Sequence, residues 1–436
     1  METLISSGIV LLLLFAFLGF GAWVFVSLGL VAFCSLSIIL GMPPLRIGSI
    51  AANIFYRYAS SWELAAIPMF IWMGEIIFRT DISSRLFRGL SPFVDYIPGR
   101  LLHTNVLGCT MFAAVSGSSP ATTATVGKIT TAELSARGYS QSISLGSLAG
   151  AGSLGLLIPP SIVMIVYGIL AEQSISRLFA AGLLPGIMIS ALYSGYIMIR
   201  SKLDPSLVPS DRPNHTLADF GKALLNLAPL VLLMGVVLGS IYTGIATPSE
   251  AAAVGVVASI IISVFIGQFS VRLLAETLMG ALRTSTMVCS ILITAALMST
   301  AMGYLHIPAN VANAIAQLNP SPWALLLLLS VFYLGLGFIL DGNSIVVMSL
   351  PIALPLAQQA GFDPVWFGIY LVLMVEMAQV TPPVGFNLFV LQGISGQPIG
   401  YVARAALPFF FLMLLGVVIL ALFPQIALWL PNLLYG

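Results

Sequence analysis

From residue 8 to residue 40 the chain carries no charged side chain, and the stretches 224–242, 251–267, 323–340 and 405–430 repeat that character. A helix needs about 20 apolar residues to cross a bilayer. In hydrocarbon no water pairs with an open N–H or C=O, so a spanning chain must satisfy its own backbone. The expected fold is therefore an all-α polytopic membrane protein. Only 7% of the 436 residues are charged, against about 25% in a soluble domain. That is too little charge to solvate a globule of this size. Residues 8–40 read as one long or two short mature helices, because the run is too long for a signal peptide and no basic segment precedes it.

Other classes of function fall away. The net charge of +1 points to no nucleic-acid partner. Cys34, Cys109 and Cys289 lie in apolar runs without a Cys-x-x-Cys pair, so neither a disulfide framework nor a metal centre is expected. There is no Gly-x-x-x-x-Gly-Lys-Ser/Thr for ATP and no His-Glu-x-x-His. With three histidines and no titratable pair at depth, an enzyme is not expected.

The chain repeats itself. Pro159-Pro160 returns as Pro382-Pro383, Pro185 as Pro408 and Gly138 as Gly361; the offsets 382 − 159, 408 − 185 and 361 − 138 are all 223. Between the halves runs the polar stretch 200–215, rich in proline and charge, which reads as an exposed linker. Basic residues mark the cytoplasmic side of a membrane protein. Arg79, Arg85, Arg88 and Arg100 form one such cluster, and Arg200, Lys202, Arg212 and Lys222 another. If 143–171 is one broken helix and 178–199 the next, then 101–137 must leave and return on the cytoplasmic side. The same count makes 323–359 start and end outside. The two re-entrant hairpins thus enter from opposite faces, and the repeat is inverted; Arg177 is the one basic residue in this stretch that disagrees. The expected division is scaffold helices in 1–100, a first hairpin and broken helix in 101–171, and scaffold with linker 200–222 in 172–322. A second hairpin and broken helix in 323–395 and a scaffold helix in 396–436 complete it.

Four segments at membrane depth read as a helix stop followed by a helix start: 113–127, 150–161, 340–345 and 380–387. Gly117 can end one arm in a left-handed cap, and Ser118 or Ser119 can cap the next, with Pro120 near its first position. Asp341-Gly342 followed by Asn343 or Ser344 repeats that logic. The proline pairs force the other two breaks. Irregular backbone at such depth must be buried or line a cavity. Half-helices ending there expose free carbonyls suited to Na⁺, and half-helices beginning there expose N–H groups suited to a carboxylate. Crossed broken segments of two inverted halves are a recurrent plan of ion-coupled transporters. Asp341 reads as an Na⁺ ligand or a neutral acid. Glu376 and Glu75 read equally as packing contacts or functional groups. Lys128 is the nearest cation to the tips, and His306 reads as solvated.

At Pro68–Glu75 (PMFIWMGE), Ser116-Gly117-Ser118-Ser119, Ile158-Pro159-Pro160-Ser161, Thr247–Gly255 (TPSEAAAVG) and Thr381-Pro382-Pro383-Val384-Gly385, the chain resembles the large membrane subunit of tripartite ATP-independent periplasmic (TRAP) transporters. The resemblance spans nearly the whole chain. It implies an Na⁺-driven elevator in the bacterial inner membrane, partnered by a separate small four-helix membrane subunit and a periplasmic substrate-binding protein. It also implies two Na⁺ sites. One would use Ser116, Gly117 and Ser119 with the Gly152 and Gly155 break. The other would use Asp341, Gly342 and Asn343 with Thr381 and Gly385. Ser118, Thr122, Pro160, Ser344 and Asn387 would face a carboxylate substrate, a C4-dicarboxylate or a sugar acid such as sialic acid. The alternative within transporters is a stand-alone divalent-anion/Na⁺ symporter.

Overall fold

The computed structural model describes residues 2–209, 215–317, 321–338, 340–382 and 385–436. Pro383 and Val384 of the second proline motif and Arg212 of the linker lie outside the described residues. Every regular element among those described is a helix. Five helices are long and apolar enough to span a membrane, or six if the bent pair Pro44–Ala59 and Trp62–Phe78 counts as one.

The first apolar run is two helices, Glu2–Gly19 and Val24–Cys34, the second continued by a π-helical turn. The run expected as one C-terminal span is also divided, into Ile399–Leu422 and Gln425–Tyr435, because Pro424 cannot donate the helical hydrogen bond needed to continue. Val271–Tyr304 is longer than its apolar core, since it begins at Ser270, whose hydroxyl accepts the Leu273 N–H. Thr247-Pro248-Ser249-Glu250 is a capping box that opens Pro248–Phe265.

The first hairpin is Leu102–Ser116 and Ser119–Ala136, and the first broken helix is Gln141–Gly152, a 3₁₀ turn Ser153–Leu156, and Ile162–Leu170. Their counterparts are Pro322–Leu336 with Gly342–Gln359, and Pro364–Gln379 with Phe386–Ser395. The offset holds in the backbone. Tyr139 N–H donates to Leu134 and Gly138 N–H to Ser135, while Phe362 donates to Ala357 and Gly361 to Gln358. Gly138 and Gly361 both have positive φ, at 78° and 86°. The helix caps Ser118 and Asp341, and Ser140 and Asp363, are also 223 apart (341 − 118 and 363 − 140).

The halves run in opposite directions. At one end Arg100 reaches the Pro209 carbonyl, Ser140 N–H meets the Leu207 carbonyl, Arg79 pairs with Glu276, and Gln397 meets Gln141. The first hairpin opens on this end, where Leu101 N–H donates to the Tyr139 hydroxyl. At the other end Arg57 pairs with Glu172, Arg177 with Asn432, and the Tyr167 hydroxyl donates to the Pro364 carbonyl that starts the second broken helix. The Tyr370 hydroxyl, one turn and a half beyond Pro364, donates to Leu326 in the second hairpin, which therefore opens on that end. The broken helices are antiparallel. The Arg79 and Arg100 end carries the basic clusters by which the sequence expects the cytoplasmic side. A cysteine at Ser206 is expected to be shielded from an impermeant maleimide added outside cells, and one at Thr243 to react. Labelling of both from the same face would refute this orientation.

Candidate ion and substrate site

The first hairpin turns because Gly117 adopts φ 57°, a left-handed state that a glycine enters without a Cβ clash. Ser118 is then extended and begins the returning arm by backbone alone, its hydroxyl making no cap bond. Ser116 Oγ pairs instead with Thr122 Oγ1 and accepts the Ser118 N–H at 3.3 Å. The tip sits on the first break. A Cβ on Gly155 would lie 2.7 Å from Ser118 O and from Ser119 Cα and N, so only a glycine allows this approach. Gly117 faces the Pro160 carbonyl, and Gly152 faces Thr123.

The second tip differs. Asp341 is itself the helix cap, accepting the Asn343 N–H at 3.1 Å and the Ser344 hydroxyl, so the cap falls before Asn343 or Ser344. A carboxylate suits this place because the N-terminal N–H groups of a helix carry partial positive charge. Gly342 packs on Val375, Gln379 and Leu156. The Thr381 hydroxyl donates to Met377 of its own helix at 2.6 Å, and Gly385 folds back against Gln379 and Thr381.

Both tips face one cavity of about 540 Å³. Ser116, Gly117, Ser118, Asp341, Gly342 and Asn343 line it, with Gln379 and Phe386 from the second broken helix. Ser119, Thr122, Gly152, Gly155, Pro160, Ser344, Thr381, Gly385 and Asn387 are not part of its lining. The facing wall was not foreseen as a unit: Trp23 caps the helix Val24–Cys34, and Glu75 and Thr284 come from two others. Glu75 also contacts Arg79 at 3.5 Å, on the side away from the tips. A larger opening of about 580 Å³, lined by Arg57, Glu172 and Thr247, lies at the outer end and is remote from the tips. Lys128 is exposed and borders another cleft, with Thr131, Ser135 and Ser144.

Glu376 is fully buried in the second broken helix. Ser119 Oγ lies 2.7 and 2.6 Å from its two oxygens, and the Leu156 N–H donates to Oε1 at 2.6 Å. Its one signal in the sequence was a lone acid in an apolar run. Asn343 Oδ1, Gln379 Oε1 and both amide atoms of Asn387 are buried without a hydrogen-bond partner among the described residues. Native interiors seldom leave such groups unpaired, so each calls for a partner outside the polypeptide.

Two inverted units of hairpin and broken helix closing on one polar-tipped cavity define a polytopic membrane carrier. The profile of the tripartite ATP-independent periplasmic transporter, DctM component, matches residues 11–426, and the chain belongs to that family as a large permease subunit. It is 37% identical to the C4-dicarboxylate TRAP transporter large permease protein DctM of Pseudomonas aeruginosa, over 93% of this chain and 94% of that protein. It is 33% identical to the ectoine/5-hydroxyectoine large permease UehC of Ruegeria pomeroyi, over 86% and 87%. With the Alcanivorax borkumensis YdaH transporter it shares the fold, at a TM-score of 0.66 and 14% identity, over 94% of this chain and 98% of that one.

Proposed function

We propose that the chain imports a small organic acid, a C4-dicarboxylate or a sugar acid, by sodium-coupled elevator transport across the bacterial inner membrane. It would work with a periplasmic binding protein and a small membrane subunit on a separate chain. The observation that carries the reading is the set of buried oxygen acceptors left open at the second tip, Asn343 Oδ1 and Gln379 Oε1. Hard oxygen ligands of this kind fit a small hard cation. The wall of the cavity adds weight. It presents Asp341 and Glu75 and no Lys, Arg or His. An anionic substrate would be repelled there unless bound cations offset the acids.

In this reading Asn343, Gln379 and the Asp341 carboxylate hold one Na⁺. The first tip offers the Ser116–Ser118 turn and the carbonyls around Gly152 and Gly155 to the other. The Ser118 hydroxyl and the Asn387 amide are left to orient the substrate. The moving unit takes in Ile175–Leu203 and Ile399–Leu422, placed with the scaffold on sequence grounds. A Cβ on Gly146 of the first broken helix would lie 2.1 Å from the Ala405 carbonyl, and one on Gly182 would lie 2.7 Å from that of Leu157. Helices in such backbone contact travel together.

Asn343→Ala should raise the Na⁺ concentration for half-maximal uptake by about ten- to a hundredfold, the equivalent of one lost bond to a charged group. Uptake in proteoliposomes at graded Na⁺ measures this. An unchanged Na⁺ response would remove the assignment.

A further inference from the structure

The last turn of Pro364–Gln379 stands between the two hairpin tips. Glu376 points to the first: its carboxylate holds the Ser119 hydroxyl at the tip and the Leu156 N–H at the break. Gln379, three residues on and so on the same helix face, points to the second. Its Nε2 lies 3.1 Å from where a Cβ on Gly342 would sit, and Leu156 Cδ1 lies 3.3 Å from the same point. Leu156 thus touches the second tip with its side chain while its N–H is held by Glu376.

The repeat shows that this junction is one-sided. Ser119 and Gly342 are equivalent positions (342 − 119 = 223), as are Ser153 and Glu376 (376 − 153 = 223) and Leu156 and Gln379 (379 − 156 = 223). The second half supplies a carboxylate where the first has a serine, so packing common to both halves does not account for it. No Lys, Arg or His bonds to Glu376 among the described residues. Its hydrogen bonds among the described residues go to the tip and the break of the other half.

We propose that Glu376 is a positioning residue that couples the two tips. By fixing Ser119 and Leu156 it sets the seat of the first tip, and through Leu156 and Gln379 a change at either tip is transmitted to the other. Cation binding at the two tips is therefore cooperative, and Glu376 is the link. This rests on the sodium-coupled reading above.

The test uses the purified full-length chain with any co-purifying membrane partner. Two readouts are followed at graded Na⁺ with K⁺ as the balancing ion: thermal unfolding temperature without substrate, and uptake in proteoliposomes. In the parent both should rise with a Hill coefficient above one. In Glu376→Ala the Hill coefficient should fall to about one and the half-saturating Na⁺ concentration should rise about tenfold, as expected for a coupling of ordinary size. Glu376→Gln should restore both, because its carbonyl can accept the Leu156 N–H and its amide can donate to Ser119 Oγ. If Glu376→Ala does not fold, Ser119→Ala cuts the same link and should also lower the Hill coefficient. A parental Hill coefficient of one overturns the proposal, as does an unchanged coefficient in the cut variants or a Gln variant as impaired as Ala. Parental uptake indifferent to Na⁺ would instead strike the functional reading beneath it.

Discussion

Gly155→Ala is expected to lower uptake by roughly a hundredfold per folded molecule, while Gly303→Ala changes it by less than about twofold. The added methyl at Gly155 would lie 2.7 Å from three atoms of the first tip, Ser118 O, Ser119 N and Ser119 Cα. All three belong to the backbone, so no rotamer change relieves the clash, and overpacking of this kind commonly costs about 1–3 kcal/mol or more. The tip must lift off the break, which separates the Ser116–Ser118 turn from the carbonyls it faces. At Gly303 the methyl meets nothing within 4 Å. Uptake normalised to the monodisperse fraction in detergent measures the difference. Parental rates in Gly155→Ala would mean that the seating of tip on break is dispensable.

Dissipating the sodium gradient with an ionophore is expected to abolish accumulation, and depletion of ATP with the gradient maintained is expected to leave it intact. The sequence contains no phosphate-binding loop motif, and Asp341 and Glu75 line the cavity. A tenfold gradient is worth about 1.4 kcal/mol per ion, so two ions sustain about a hundredfold accumulation of a neutral complex. Counterflow in vesicles with and without the ionophore separates the cases. Accumulation that persists without any sodium gradient would defeat the coupling.

Much of the architecture was legible because local rules determine it. Gly117 is the left-handed cap its sequence implied, and the proline pair 159–160 stands in a helix break. The 223-residue offset reappears in the caps and turns of both halves. The basic clusters alone set their expected orientation, and Arg177, beside Asn432, lies with Arg57 at the end away from those clusters. The cavity was less legible. Thr381 was read as an Na⁺ ligand of the second tip; its hydroxyl donates its proton back to Met377, a bond sequence cannot reveal and one that leaves the oxygen lone pairs open. Ser119 was read as a ligand; the structure adds that its hydroxyl donates to Glu376 of the other half, a partner the sequence did not indicate. The opposing wall depends on where the turn before Val24 sets Trp23 and on which faces of the helices bearing Glu75 and Thr284 turn inward. In a chain apolar on nearly every helix face, periodicity carries little of that information.

The bond between Ser119 and Glu376 joins residues 257 positions apart. At about 5–20 residues per second of synthesis, the first tip must wait roughly 10–50 s for its partner to leave the ribosome. During that interval the nascent first half lies in the membrane with its tip unfinished and the Leu156 N–H unclaimed. Biogenesis thus becomes a matter of holding an incomplete half open until the other inserts in the opposite sense. A chain truncated before residue 376 should accordingly persist as a target for membrane quality control rather than as a stable half-protein.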